Sequence, residues 1–373
     1  MNVTTLRPVA KRQEPKIDDR RWKIDSSSAI LRFPVFFLIR CADAFLLMTN
    51  VSADSILGAL LGTAVGDALG MPIEGLSHQN VRTYYKGIKE YRDDDQRGDL
   101  SAGQWTDDTQ MTFALVRALT DHPDSPAAWP SAVAEEYVNL GSGTRRRRRW
   151  GETTTTAIER LANGTPPSES GVPDRPTDGA AMRAAPLGIW WAAQDVDRDD
   201  AFEAVRPVLA VTHRHPIALV AGWGQTAAVH TLLDQSPDTF ERAAFWNMLL
   251  GATTWAEAHL DATDRVSSRL RDLTDRLDAF PLDLRDACDG VGVRAEEAWP
   301  FACAMVARRA HLLENTLLSG INVGGDADTT GAMMGAMLGA LHGWAAFPDE
   351  WKEGLEECEH LQGEAQAFAD ALR

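Results

Sequence analysis

Two short acidic clusters stand out as the residues able to do chemistry. Asp326-Ala327-Asp328-Thr329-Thr330 follows the glycine pair Gly324-Gly325 and precedes the small-residue run Gly331 to Gly343. Far upstream, Thr106-Asp107-Asp108-Thr109 opens onto an apolar run from Met111 to Leu119. Glycines permit the left-handed or tightly turned backbone that other residues resist, so a turn there lets Asp326, Asp328 and Thr329 point into one small volume. Carboxylates, hydroxyls and water are the ligands that Mg2+ and Mn2+ prefer. Thr106, Asp107, Asp108, Asp326, Asp328 and Thr329 supply that set. Four ionised carboxylates packed together repel, and two divalent cations would neutralise them. The alternative reading is that each cluster caps its own helix, Thr106 or Asp107 accepting from the unpaired amides of the first turn.

The elements that must position these clusters read as helices. Gly58, Gly62, Gly66 and Gly70 recur every four residues and line one helical face, which lets a neighbouring helix approach closely. In lipid this pattern would suggest a dimerising span, but Asp67 and Pro72 and the overall charge favour a buried helix of a soluble bundle. Glu74, at the exit of that helix, is either a surface carboxylate or part of the site. Residues 76 to 103 read as a long loop. Gly141 to Trp150 carries the five-arginine run Arg145 to Arg149, read as a solvated loop or as a contact for a phosphate or acidic partner. Gly151 then leads into a threonine-rich helix. Backbone amides at the turn from Asp178-Gly179 into the next helix could hold a pyrophosphate. His213, in Val211 to Pro216, either fixes a helix end or touches substrate. Helical spacing continues to the C-terminus and strand-like alternation is scarce, so the expected fold is all-α.

The chain has 373 residues, of which 44% are hydrophobic, enough for a sizeable core. Its net charge of −17 argues against a nucleic-acid backbone or an anionic membrane surface as main partner. Cys41, Cys288, Cys303 and Cys358 lack zinc or disulfide spacing, and a reducing cytoplasm fits best. The apolar stretch from Ala29 to Met48 is interrupted by Arg32, Arg40 and Asp43, so neither a signal peptide nor a membrane span is read there. Residues 1 to 52 are taken as an extension and 53 to 373 as one domain. The extension is read as a leader, as residues upstream of a start at Met48, or as a segment that docks a partner such as a toxin.

Gly66-Asp67-Ala68-Leu69-Gly70, Trp105 to Thr109, Gly179 to Gly188, Thr212-His213 and Gly324 to Thr329, in that order, resemble the ADP-ribosylglycohydrolase family. The resemblance implies a compact single-domain helical bundle with a binuclear magnesium or manganese centre. It implies hydrolysis of the glycosidic bond between ADP-ribose and a protein side chain, most simply arginine. In that reading Thr106, Asp107, Asp108, Asp326, Asp328 and Thr329 hold two metal ions that bind the distal ribose hydroxyls and position a water. Asp107 and Glu74 are the candidates for water activation and proton transfer. Gly151, Asp178, Gly179 and His213 are the expected substrate contacts. The competing readings are an immunity-type protein that blocks an ADP-ribosylating toxin by contact, and a hydrolase of serine-linked or free ADP-ribose conjugates. Asp178 stands where many relatives carry asparagine. The arginine run and the extension lie outside the shared pattern.

Overall fold

The computed structural model describes residues 51–142 and 148–373, and the extension therefore falls, but for Val51 and Ser52, outside the described residues. Seventeen α-helical segments follow one another, and among the described residues the only β-pairing is three isolated bridges. The fold is all-α, as the spacing predicts. Buried apolar side chains from Ile56 to Ala369 form one continuous core.

At its centre lie the helices Ala53–Gly70 and Ala327–His342. Alanine and leucine favour the first, Ser52 caps it by accepting the Asp54 amide at 3.2 Å, and Pro72 follows its end. The two helices run antiparallel, with Gly58 against Gly339, Gly62 against Gly335, Gly66 against Gly331 and Gly70 against Ala327. The contact is backbone to backbone. A methyl group built on Gly335 would lie 1.9 Å from the Gly62 carbonyl oxygen, closer than any side chain can sit. The glycine periodicity is therefore a helix-packing seam. The segment Ala53–Ile73 has the length and apolarity to cross a membrane, yet 94% of its apolar window is buried inside the protein.

This register has a direct consequence for chemistry. Pairing Gly66 with Gly331 and Gly70 with Ala327 brings the end of the first helix, carrying Asp67, beside the start of the second, carrying Asp328. The helix Asp107–Asp121 packs on both, and Cys358–Ala371 packs on Ala53–Gly70 and Asp107–Asp121. Arg117 ties this side together, reaching Glu136 at 2.7 Å and Glu364 at 3.0 Å. On the far side Pro216–Leu233 is buried against Ala327–His342. Cys288, Cys303 and Cys358 are free thiols.

Candidate metal and substrate site

Asp326 occupies the first-turn position of its helix but makes no side-chain cap, and the same is true of Thr106 at the start of Asp107–Asp121. Neither Asp326 nor Thr106 therefore caps its own helix, while Asp328 accepts the Thr329 amide at 3.0 Å. The backbone that presents Asp326 is fixed instead by the glycine pair, Gly324 and Gly325 both having φ of +79°. There the amide of Gly325 donates to Leu76 O at 2.8 Å, the amide of Gly75 to Gly325 O at 2.8 Å, and the amide of Asp326 to Val291 O at 3.0 Å. These bonds fasten the acidic turn to the segment carrying Glu74.

Thr106 and Thr109 are held by a residue that the sequence reading did not place in the site. Asp67 is fully buried, and its carboxylate accepts the Thr106 amide at 2.9 and 3.0 Å, the Thr106 hydroxyl at 2.9 Å, the Thr109 amide at 3.0 Å and the Thr109 hydroxyl at 2.6 Å. Asp67 thus caps the neighbouring helix from outside, satisfying amides that its own first turn leaves open. Carboxylate oxygens of Asp67, Asp108 and Asp328 all lie within 4.8 Å of one another. Asp67 has its acceptor sites filled by threonine donors, so it supports the cluster and leaves the ligand role to its neighbours. A charged residue on the glycine helix was the available signal, since full burial of an aspartate requires partners.

Asp108 has one buried oxygen, Oδ1, with no hydrogen-bond partner, while Oδ2 lies 3.0 Å from the Thr106 hydroxyl and 3.5 Å from that of Thr329. Asp178 Oδ2 is similarly unpartnered. Asp107, Asp326, Asp328 and Thr329 line an open cleft of about 280 Å3, near the lower end of the size range of ligand sites, and Asp108 and Thr106 are buried beside them. The six expected ligands are brought together. Buried, unpaired oxygens and crowded carboxylates are the donor set of a hard divalent cation.

Burial drives the carboxyls of Asp107, Asp108, Asp178 and Asp328 well above the usual aspartate range, with neighbouring carboxylates adding to the effect. Asp326 is also raised by burial, and Asp67 rises from 3.8 to about 6 despite its threonine donors. Asp178 shares a hydrogen bond with Asp326 that raises the Asp178 carboxyl and lowers that of Asp326. A cluster so charged holds protons unless cations replace them.

The expected substrate contacts Gly151, Asp178, Gly179 and His213 all line the same cleft. Gly151 begins the helix Glu152–Ala162 without a side-chain cap. Gly179 faces the His213 ring so closely that a methyl group on it would lie 2.6 Å from Cε1. His213 is buried, its Nδ1 is 2.7 Å from the Thr212 hydroxyl, and burial with the nearby Arg183 charge keeps it neutral. Arg183, fully buried, donates to Gly179 O at 2.8 Å and Leu209 O at 3.3 Å and so fixes the turn from below.

Glu74 lines the cleft rather than standing free at the surface. Its Oε2 accepts from Arg97 and, at 3.3 Å, from Arg149. The end of the arginine run is correspondingly no solvated loop: Arg148 pairs with Glu356 and lies over the Trp105 ring, and the Arg149 side chain is 7% exposed among carboxylates. The earlier arginines, Arg145 to Arg147, lie outside the described residues.

Comparison with known proteins agrees with this geometry. The family model for ADP-ribosylglycohydrolase matches residues 48–373. The ADP-ribosyl-[dinitrogen reductase] glycohydrolase of Rhodospirillum rubrum is 28% identical over 87% of this chain and 98% of its own. The ADP-ribosylarginine hydrolase Tri1 of Pseudomonas putida is 24% identical, over 85% of this chain and 78% of its own. A solved structure of an ADP-ribosylglycohydrolase-related protein complex superposes with a TM-score of 0.67 at 25% identity, covering 86% of this chain and 99% of that one.

Proposed function

The chain belongs to the ADP-ribosylglycohydrolase family, and from that premise we propose that it hydrolyses the bond between ADP-ribose and a modified arginine side chain, using divalent cations. The observation that carries this reading is the convergence of Asp107, Asp108, Asp326 and Asp328 from two distant segments, with the unpartnered Asp108 Oδ1 buried among them. Thr106, Asp107, Asp108, Asp326, Asp328 and Thr329 would hold two Mg2+ or Mn2+ ions. Such ions, when bound, lower the pKa of water and orient ribose hydroxyls.

The chain's own groups do the rest. The uncapped helix start at Gly151 offers amides to a diphosphate, and Gly179, packed against the His213 ring, lines the cleft beside it. In the reaction the ribose C1–N bond breaks, a water oxygen bonds to C1, and a proton passes to the departing guanidine nitrogen. Positive charge grows on the ribose as the bond opens, and the carboxylates around the cleft stabilise it. In this reading Asp107 takes the water proton and Glu74 takes part in proton transfer, both from the lining of the cleft.

One relative carries the name ADP-ribosylarginine hydrolase, which favours arginine. The test is a panel of arginine-linked, serine-linked and free ADP-ribose conjugates, each with Mg2+, Mn2+ or a chelator. Release from the arginine conjugate alone is the expected result, and preferential release from a serine-linked conjugate would reassign the substrate.

A further inference from the structure

Arg149 is the most heavily engaged cation at the cleft. Its guanidinium donates to Met71 O at 3.0 Å, Glu74 Oε2 at 3.3 Å, Asp99 Oδ1 at 2.6 Å, and Asp94 Oδ2. Asp94 is itself buried and accepts the Gln96 amide at 2.8 Å and the Arg97 amide at 3.2 Å, so the loop it begins is folded around the contact. Arg97 then reaches back to the same Glu74 oxygen that Arg149 holds, and Gln96 donates to Pro72 O at 2.9 Å. Arg149 has a φ of +56°, a conformation that non-glycine residues avoid and that persists where surroundings impose it.

We infer that Arg149 is a positioning residue for Glu74, clasping the turn Met71 to Glu74 and the loop Asp94 to Asp99 together so that Glu74 presents its remaining oxygen, Oε1, to the cleft. Both guanidiniums bind Oε2, which fixes the side chain and leaves Oε1 without a donor among the described residues. Arg149 lines the cleft but is not free to bind an anion: two guanidiniums, its own and that of Arg97, face the three carboxylates of Glu74, Asp94 and Asp99. A substrate phosphate there would compete with charges already in place. Lysine cannot replace this arginine, because a point charge with three donors does not span acceptors set around a planar fork.

The inference rests on the reading that Glu74 takes part in the hydrolysis, and its test separates the two. Arg149→Lys, Glu74→Gln and the double variant are compared for kcat and KM on an arginine-linked ADP-ribose conjugate. Hydrogen exchange at the Gly75 and Leu76 amides is followed in metal-free protein. Because Gly75 N–H donates to Gly325 O and Leu76 N–H to Ile73 O, these amides report whether the turn stays closed. Arg149→Lys is expected to lower kcat about 10- to 100-fold with KM little changed, and to speed exchange there. In the Glu74→Gln background it should add nothing, since residues acting through one group are non-additive. Asp99→Asn, a milder change at a half-exposed partner, should move both readouts in the same direction by less. Penalties that multiply in the double variant, a rise in KM with kcat intact, or unchanged exchange would overturn the inference. If wild-type protein releases no ADP-ribose at all, the hydrolase reading falls, and the exchange measurement still decides whether Arg149 holds the turn.

Discussion

The Asp67 carboxylate receives both the amide and the hydroxyl of Thr109, at 3.0 and 2.6 Å, so a residue of the glycine-rich helix caps a helix that begins 40 residues further on. One buried charge thereby joins the packing seam to the acidic cluster. Asp67→Asn keeps the shape but removes the charge and turns one acceptor into a donor facing threonine amides. It should destabilise the protein by about 1–3 kcal/mol and weaken divalent-metal affinity about 10- to 100-fold, the usual effect of losing a residue that orients ligands. Urea unfolding and Mn2+ titration measure the two effects.

The seam itself predicts a contrast between two glycines. Gly335→Ala drives a methyl group into the Gly62 carbonyl and should cost about 1–3 kcal/mol or more. Gly251 sits in the exposed face of the helix Arg242–His259 with open space around it, so Gly251→Ala should stabilise by about 0.4–1 kcal/mol. Denaturant midpoints of the two variants should move in opposite directions.

The crowded carboxyls make metal-free stability depend on pH. Each has a folded pKa above its unfolded value, so its stabilising contribution is complete below the unfolded pKa and disappears as pH rises through the folded one. For Asp67 the loss spans the interval from 3.8 to about 6, and for Asp107, Asp108 and Asp328 it continues higher. Chelated protein should therefore melt at progressively lower temperature as pH rises from about 5 to 8, and saturating Mg2+ or Mn2+ should remove most of that slope. A melting temperature of the chelated protein that is flat or rising over this range would contradict it.

Much of this was legible in the sequence because it was written in short-range patterns. A glycine every four residues specifies a close helix contact, and it appears as the seam of Ala53–Gly70 with Ala327–His342. The Gly324-Gly325 pair requires left-handed backbone and adopts it. Asp67 and Arg149 were not legible as parts of the site, because their meaning comes from partners distant in the chain: Asp67 from Thr106 and Thr109, Arg149 from Met71, Glu74, Asp94 and Asp99. A run of arginines reads as solvent-facing charge until the carboxylates that surround its last member are known.

The central claim, that two acidic segments form one metal-dependent hydrolytic site, is tested most directly by ADP-ribose release from an arginine-modified protein in Mg2+ or Mn2+. Wild-type protein, Asp107→Ala and Asp326→Ala are assayed side by side, each with and without chelator. Release by wild-type protein that stops with chelator, together with at least a roughly 100-fold loss in each folded variant, is the predicted result. Undiminished release by either variant, or release that persists in chelator, would contradict the account.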